Sequence, residues 1–194
     1  MKKILVVNAI DLEQIPLQFP ETEVRMILSG IGKTNAAMNV MQAVMEFRPD
    51  YVLNVGSTGT LNHQVGDIIV SHHFVDRDLE RMKLFGLEYN ITTVCPAGLE
   101  NLPSVLSGRE TLDDLIVNTG DDFVTAGEAL TGDAVDMEVF AEAMVCRKMN
   151  LPLLSIKYVT DIVGQNSVAA WEEKLADARE GLLAFFNKNV SFFA

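Results

Sequence analysis

A three-layer α/β domain is the fold class this sequence predicts, on three observations. Short apolar runs alternate with longer segments of helical periodicity, no internal repeat or linker breaks the alternation, and 194 residues suffice to bury a sizeable core without disulfides or a structural metal. The whole chain, 1–194, reads as one domain.

Lys3 to Ala9 (KILVVNA) has the apolar run of a buried strand. The leading MKKILVVNAI is basic and then apolar, but Asn8 and Asp11 interrupt it and no small-residue cleavage site follows, so it reads as a first strand and not a signal peptide. Thr22 to Leu28 alternates at Val24, Met26 and Leu28, a second strand. Ser29-Gly30-Ile31-Gly32-Lys33 is a turn that opens a helix, with Ala36, Ala37, Val40, Met41, Val44 and Met45 at three- and four-residue spacing as its core stripe. Pro49 ends it.

The stretch Asp50 to Leu61 (DYVLNVGSTGTL) is the one around which the rest is arranged. Tyr51 to Val55 predicts a buried strand, and Gly56-Ser57-Thr58-Gly59 predicts a tight turn at its end, where glycines let backbone N–H groups approach a ligand. Val65 to Ser71 is a further strand, followed by His72, His73 and a charged stretch. Asn90 to Asp114, punctuated by Pro96, Gly98, Pro103 and Gly108, reads as loop. Leu115 to Thr119 is a buried strand, Met137 to Met149 a helix with apolar Phe140, Ala143, Met144 and Met149 and with Arg147 and Lys148 in its last turn, and Pro152 to Val159 the last inner strand, ending at Thr160-Asp161. From Val168 onward, Trp171, Leu175, Ala178, Leu182 and Phe186 mark a helix that packs over the sheet.

Composition narrows the partners. Lys+Arg of 15 against Asp+Glu of 27 gives a net charge of −12, which repels nucleic acid and anionic membrane surfaces and favours a small molecule. No run approaches the roughly 18 apolar residues of a membrane-spanning helix. Cys95 and Cys146 are far apart and belong to no CxxC or Cys/His cluster, which fits a reducing cytoplasm.

Carboxylates gather where strands end: Asp11 and Glu13, Asp121 and Asp122, Asp136 and Glu138, and Asp161. Each singly is accounted for by helix capping. Two or more of them in one apolar cleft would have divergent pKa values and supply both an acid and a base. Other chemistries are poorly supplied. Adjacent His72 and His73 on one strand point to opposite faces and, with His63, leave no metal spacing. Ser57 lacks a histidine base or an elbow motif, and Lys33 lacks the GxxxxGK[ST] pattern of a phosphate-binding loop.

Six motifs then occur in a familiar order: SGIGK at Ser29 to Lys33, NVGSTGTL at Asn54 to Leu61, VGDIIVS at Val65 to Ser71, TGDDFV at Thr119 to Val124, VDME at Val135 to Glu138, and Thr160-Asp161. Together they resemble the nucleoside phosphorylase superfamily, most of all the 5′-methylthioadenosine/S-adenosylhomocysteine nucleosidases. The resemblance implies a single α/β/α domain with a central mixed sheet, and a homodimer without cofactor or metal that hydrolyses the N-glycosidic bond of a 5′-thioadenosine nucleoside. It makes Asp161 the acid at N7 of the purine, beside Thr160 where the family has Ser. Glu13, assisted by Ser57, would orient and deprotonate water. Glu138 would bind the ribose hydroxyls and Met137 pack on the sugar, while Phe123 stacks on the base and the Val124 backbone reads its edge. Ile10, Ile31 and Trp171 would line the 5′ pocket, joined by Phe85 from a partner subunit. Bulky Trp171, where Phe is frequent, narrows the room for a homocysteine tail and favours 5′-methylthioadenosine.

Two rival readings remain open. A phosphorylase needs fixed cations below the ribose, and this chain has Asn54 where phosphorylases of the superfamily place Arg, which leaves Lys157 to tether Glu13 or to bind an anion. A non-catalytic nucleoside-binding protein is the other, since the segments between Cys95 and Leu115 and between Phe123 and Val135 are shorter than usual in the family.

Overall fold

Side chains alternate across a strand, and the first strand, β1 (Lys2–Asn8), uses both faces: Ile4 and Val6 enter one apolar cluster, Leu5 and Val7 another. A strand apolar on both sides must be covered on both sides, so a three-layer arrangement follows from these four residues. The computed structural model describes residues 1–82, 86–106, 115–124, 130–165 and 167–194. After β1 come β2 (Thr22–Leu28), α1 (Lys33–Phe47), β3 (Tyr51–Thr60), β4 (Ile68–Ser71), β5 (His73–Asp76), α2 (Arg77–Glu80), β6 (Asn90–Thr92) and β7 (Ile116–Thr119). They are followed by β8 (Ala134–Asp136), α3 (Val139–Lys148), β9 (Leu153–Ile162), α4 (Ser167–Lys188) and α5 (Val190–Phe193).

All nine strands among the described residues join one mixed sheet. β1 runs parallel to β2 and β3, β3 parallel to β9, and β7 parallel to β5 and β8, whereas β4 is antiparallel to β9 and β8 to β3. One face is covered by α1 and α3 through Val40, Val44, Phe47, Phe140 and Ala143. The other is covered by α4 and α5 through Leu182, Phe186 and Phe193, with Phe19 stacked on Phe193 at 4.7 Å between ring centroids.

Four expectations are corrected. The Gly56-Ser57-Thr58-Gly59 segment is not a turn: β3 continues to Thr60 with all ten residues buried, because β9 pairs with it from Val52 to Thr60 and that ladder outweighs the glycines' weak strand preference. A bulge between Thr58 and Gly59 absorbs the irregularity. Val65 is exposed and Gly66 has φ of +98°, so the next strand begins only at Ile68. In α1 the stripe is Ala36, Val40, Ala43, Val44 and Phe47, and Met45, 100° around the helix from Val44, is 63% exposed. His72 and His73 do not diverge: β4 ends at Ser71, the chain bends, and the two rings lie 4.1 Å apart.

Helix α4 seats on β9 through Gly181, where an added Cβ would sit 2.4 Å from Cε2 of Tyr158. Gly181→Ala gains about 1 kcal/mol of helix propensity but overpacks at a cost of about 1–3 kcal/mol. A net loss is the expected outcome, read as a melting temperature lower by roughly 2–6 °C; an unchanged or higher melting temperature would contradict this packing.

Candidate active site

The site originates in an unpaired piece of backbone. β9 occupies one edge of β3 along nearly its whole length, while on the other edge β1 pairs only with Tyr51 to Asn54 and β8 only with Gly59 and Thr60. Between them, on the edge away from β9, Val55 to Thr58 have no strand beside them, yet buried N–H and C=O groups must be satisfied. Side chains do it: Asn8 Nδ2 donates to the Val55 carbonyl at 2.8 Å, and the Ser57 N–H donates to Glu13 Oε1 at 2.9 Å. A short 3-10 turn, Asp11–Glu13, follows β1 and brings Glu13 back over β3. Gly56 makes the approach possible, because a Cβ there would lie 3.0 Å from Glu13 Oε2.

A cavity of about 190 Å³ opens over this gap, and Ile10, Glu13, Ile31, Ser57, Phe123, Val124, Met137, Glu138, Lys157, Asp161 and Trp171 all line it. Eleven of the thirteen residues singled out from the sequence thus meet in one place. Of the other two, Thr160 is fully buried and lies behind the wall, its one hydroxyl proton within reach of Asp161 Oδ1 at 2.9 Å and of the Thr58 carbonyl at 3.2 Å, so it stands against the acid. Phe85 lies outside the described residues. Asp11 is exposed and off the cavity, and Asp121 is spent on the Lys33 N–H at the start of α1, at 2.7 Å.

Ser57 Oγ donates to Glu13 Oε1 at 2.5 Å and accepts from Trp171 Nε1 at 2.9 Å. Asp161 stands at the end of β9 against Gly59, where a Cβ would come within 3.0 Å of its Oδ2. Glu138, at the entry to α3, accepts the Gly32 N–H at 2.9 Å, which draws the SGIGK turn against the cavity.

Three further charged residues line the cavity: Asp122 and Asp136, counted in the sequence only among the carboxylates at strand ends, and Arg77, which the sequence reading passed over. Arg77, only 1% exposed, passes under Gly120 and donates to Asp122 Oδ1 at 2.9 Å, to the Asp122 carbonyl, to Asn118 O at 3.2 Å and to Asp136 O at 3.1 Å. A Cβ at position 120 would lie 2.4 Å from Arg77 Nε, so the TGDD glycine is the signal for this residue, legible only once Arg77 is in place. Lys157 pairs with Asp136 at 3.2 Å; it does not bond Glu13, whose charge it feels at longer range.

Burial sets the protonation of this cluster. It opposes the Lys157 ammonium, but Asp136, Glu138, Glu13 and Glu142 together hold its pKa above the ordinary lysine value. Burial raises Glu138 to about 7, with Asp136 adding to the effect and Lys157 opposing it. Glu142, one turn further along α3, is wholly buried and raised by burial to about 8. Its Oε1 accepts from Asn54 Nδ2 at 3.1 Å, and Ser155 Oγ in turn donates to Asn54 Oδ1 at 2.9 Å. Asn54 therefore faces α3 and does not line the cavity. No group of three or more His, Cys, Asp or Glu able to hold a metal occurs among the described residues, nor does any helix among them have the length and apolarity to cross a membrane.

Comparison with known proteins places this geometry in context. A family model described as the phosphorylase superfamily matches residues 16–188. The chain is 33% identical to a 5′-methylthioadenosine/S-adenosylhomocysteine nucleosidase of Geobacillus sp. (strain WCH70), over 80% of this chain and 75% of that protein. It is 32% identical to a protein of the same name from Marinomonas sp. (strain MWYL1), over 84% of this chain and 78% of that protein. Among solved structures it is similar in fold, with a TM-score of 0.80, to a 5′-methylthioadenosine/S-adenosylhomocysteine nucleosidase from Colwellia psychrerythraea 34H in complex with adenine. That match has 24% identity and covers 98% of this chain and 95% of the other.

Glu142 gives the site a pH signature. Folded Glu142 keeps a proton that an unfolded chain releases above about 4.5, so folding takes up a proton between there and about pH 8, and stability falls as pH rises through that window. Glu142→Gln removes this dependence and preserves an acceptor for Asn54. Thermal melts are expected to coincide at pH 5 and to favour the variant at pH 8 by at least about 3 °C; equal melting temperatures at pH 8 would contradict the buried acid.

Proposed function

The chain belongs to the phosphorylase superfamily, and from that premise and the chemistry of the cavity we propose a hydrolase that releases adenine from 5′-methylthioadenosine or a related 5′-thioadenosine nucleoside. The observation that carries the choice of water over phosphate is the charge lining. Glu13, Asp122, Asp136, Glu138 and Asp161 face the cavity, and its two cations among the described residues are engaged, Arg77 by Asp122 and Lys157 by Asp136. The α1 N-terminus, otherwise a ready anion site, has its Gly32 and Lys33 N–H groups taken by Glu138 and Asp121. A phosphate dianion placed there would meet like charge in a low-dielectric cleft.

In the reaction, the N9–C1′ bond breaks as positive charge builds on the ribose and negative charge on the adenine. Asp161, oriented by Thr160, donates a proton or a hydrogen bond to N7 and so makes the base a better leaving group. Glu13 takes a proton from the water that adds to C1′, and its carboxylate also stabilises the cationic sugar. Glu138 accepts the ribose hydroxyls, Met137 packs on the sugar, Phe123 stacks on the adenine and the Val124 backbone reads its edge. Ile10, Ile31 and Trp171 surround the 5′ group, and the bulk of Trp171 favours methylthio over a homocysteine tail.

The same reading makes the protein a cytoplasmic homodimer in methionine salvage. Met38 and Met45 of α1 and Met144 of α3 support it as exposed apolar side chains suited to a second copy.

Adenine release from 5′-methylthioadenosine, followed with and without phosphate, is the test. Wild type is expected to yield free 5-methylthioribose at a rate that phosphate does not raise, and Asp161→Asn to lower kcat by about 10²–10⁴-fold. Acceleration by phosphate with a sugar 1-phosphate product would make it a phosphorylase; tight nucleoside binding without turnover would make it a binding protein.

A further inference from the structure

The chain holds a single tryptophan, and it stands at the cavity with its indole N–H on the Ser57 hydroxyl. A serine hydroxyl has one proton to give and two lone pairs to accept with, whereas an indole nitrogen only donates. Because Trp171 fills an acceptor position of Ser57, the Ser57 proton is directed to Glu13 Oε1, the same oxygen that accepts the Ser57 N–H. Glu13 Oε1 is thus held by two donors from one residue, and the rotation of that residue is set from α4. Phe123 supports the arrangement, its ring packed edge-on against Trp171 at 6.2 Å and 65°.

We propose that Trp171 is a positioning residue for the attack of water, fixing the Glu13 carboxylate through the Ser57 hydroxyl, in addition to lining the cavity. The inference rests on the hydrolase reading above and adds a role that bulk alone does not require. A phenylalanine at this place supplies the same wall but no donor, leaving Ser57 free to rotate and Glu13 less firmly oriented. Geometry at a general base matters for rate more than for binding, so the loss falls on kcat.

Trp171→Phe is expected to lower kcat about tenfold, the scale of one hydrogen bond to a charged network, and to change KM by less than about twofold. The loss should be equal for 5′-methylthioadenosine and for adenosine, and in a Ser57→Ala background the same substitution should cost less than about twofold. An equal loss in both backgrounds, or a loss in KM that grows with the size of the 5′ group, would overturn the proposal in favour of a wall residue. A second readout needs no turnover: the emission of the lone tryptophan should shift between wild type and Ser57→Ala, and an unchanged spectrum also overturns it. Wild-type adenine release tests the underlying hydrolase reading separately, since inactivity on both nucleosides would reject that reading while the emission still decides the Trp171–Ser57 contact.

Discussion

Everything at the site depends on four residues of β3 that are paired by β9 on one edge and have no strand on the other. Val55 to Thr58 lie between the last pair of β1 and the first pair of β8, and their polar backbone is buried. Buried donors and acceptors left unmet cost about 1–3 kcal/mol each, so something must fill the gap. Asn8 and Glu13 fill it, and in doing so they deliver a carboxylate to the floor of a cavity, where a neighbouring strand would have delivered only more backbone. The fold's structural need and the site's chemical need are met by the same hydrogen bonds. Glycine at 56 and 59 serves both, leaving room on β3 for Glu13 on one side and Asp161 on the other.

The charges around this gap balance locally. Arg77 and Lys157 are almost fully buried and each is tied to a carboxylate, so the surplus of acid is moderated and not reversed. Burial then does what further cations would otherwise undo: Glu138 and Glu142 move to about 7 and about 8, which lets several carboxyls share a small volume without all being ionised. The result is a cavity lined by carboxyl groups, with both of the cations described there tied to carboxylates.

Periodicity made the long elements legible. β1, α1, α3 and α4 repeat their apolar residues often enough for the period to emerge, although Met45 of α1 and Met144 of α3, read as part of it, are exposed. The short elements β5, β6, β8 and α2 were not seen, β6 (Asn90–Thr92) falling in a segment read as loop, since three or four residues contain too little of any period to announce a strand or a helix. β3 was read too short for a different reason: glycine signals a turn to local reasoning, while the ladder with β9 holds Gly56 and Gly59 extended. Met45 shows the limit of hydrophobicity as a guide to burial, as an apolar residue one step off the stripe faces outward.

What the sequence by itself determined is the inventory: carboxylates stationed at the ends of predicted strands, small residues in the central one, and a motif order that named the fold and the class of bond cleaved. Which of those groups meet was decided by tertiary structure alone. Glu13 and Ser57 are 44 residues apart, Trp171 and Ser57 are 114, and Lys157 pairs with Asp136 where the sequence reading offered only Glu13 or an anion. Contacts across such separations leave no local pattern, because they are set by strand register and by which face of a helix closes on the sheet. Hydrogen-bond partners and pKa values, which depend on distances of a few ångströms and on burial, exist only after that packing is complete.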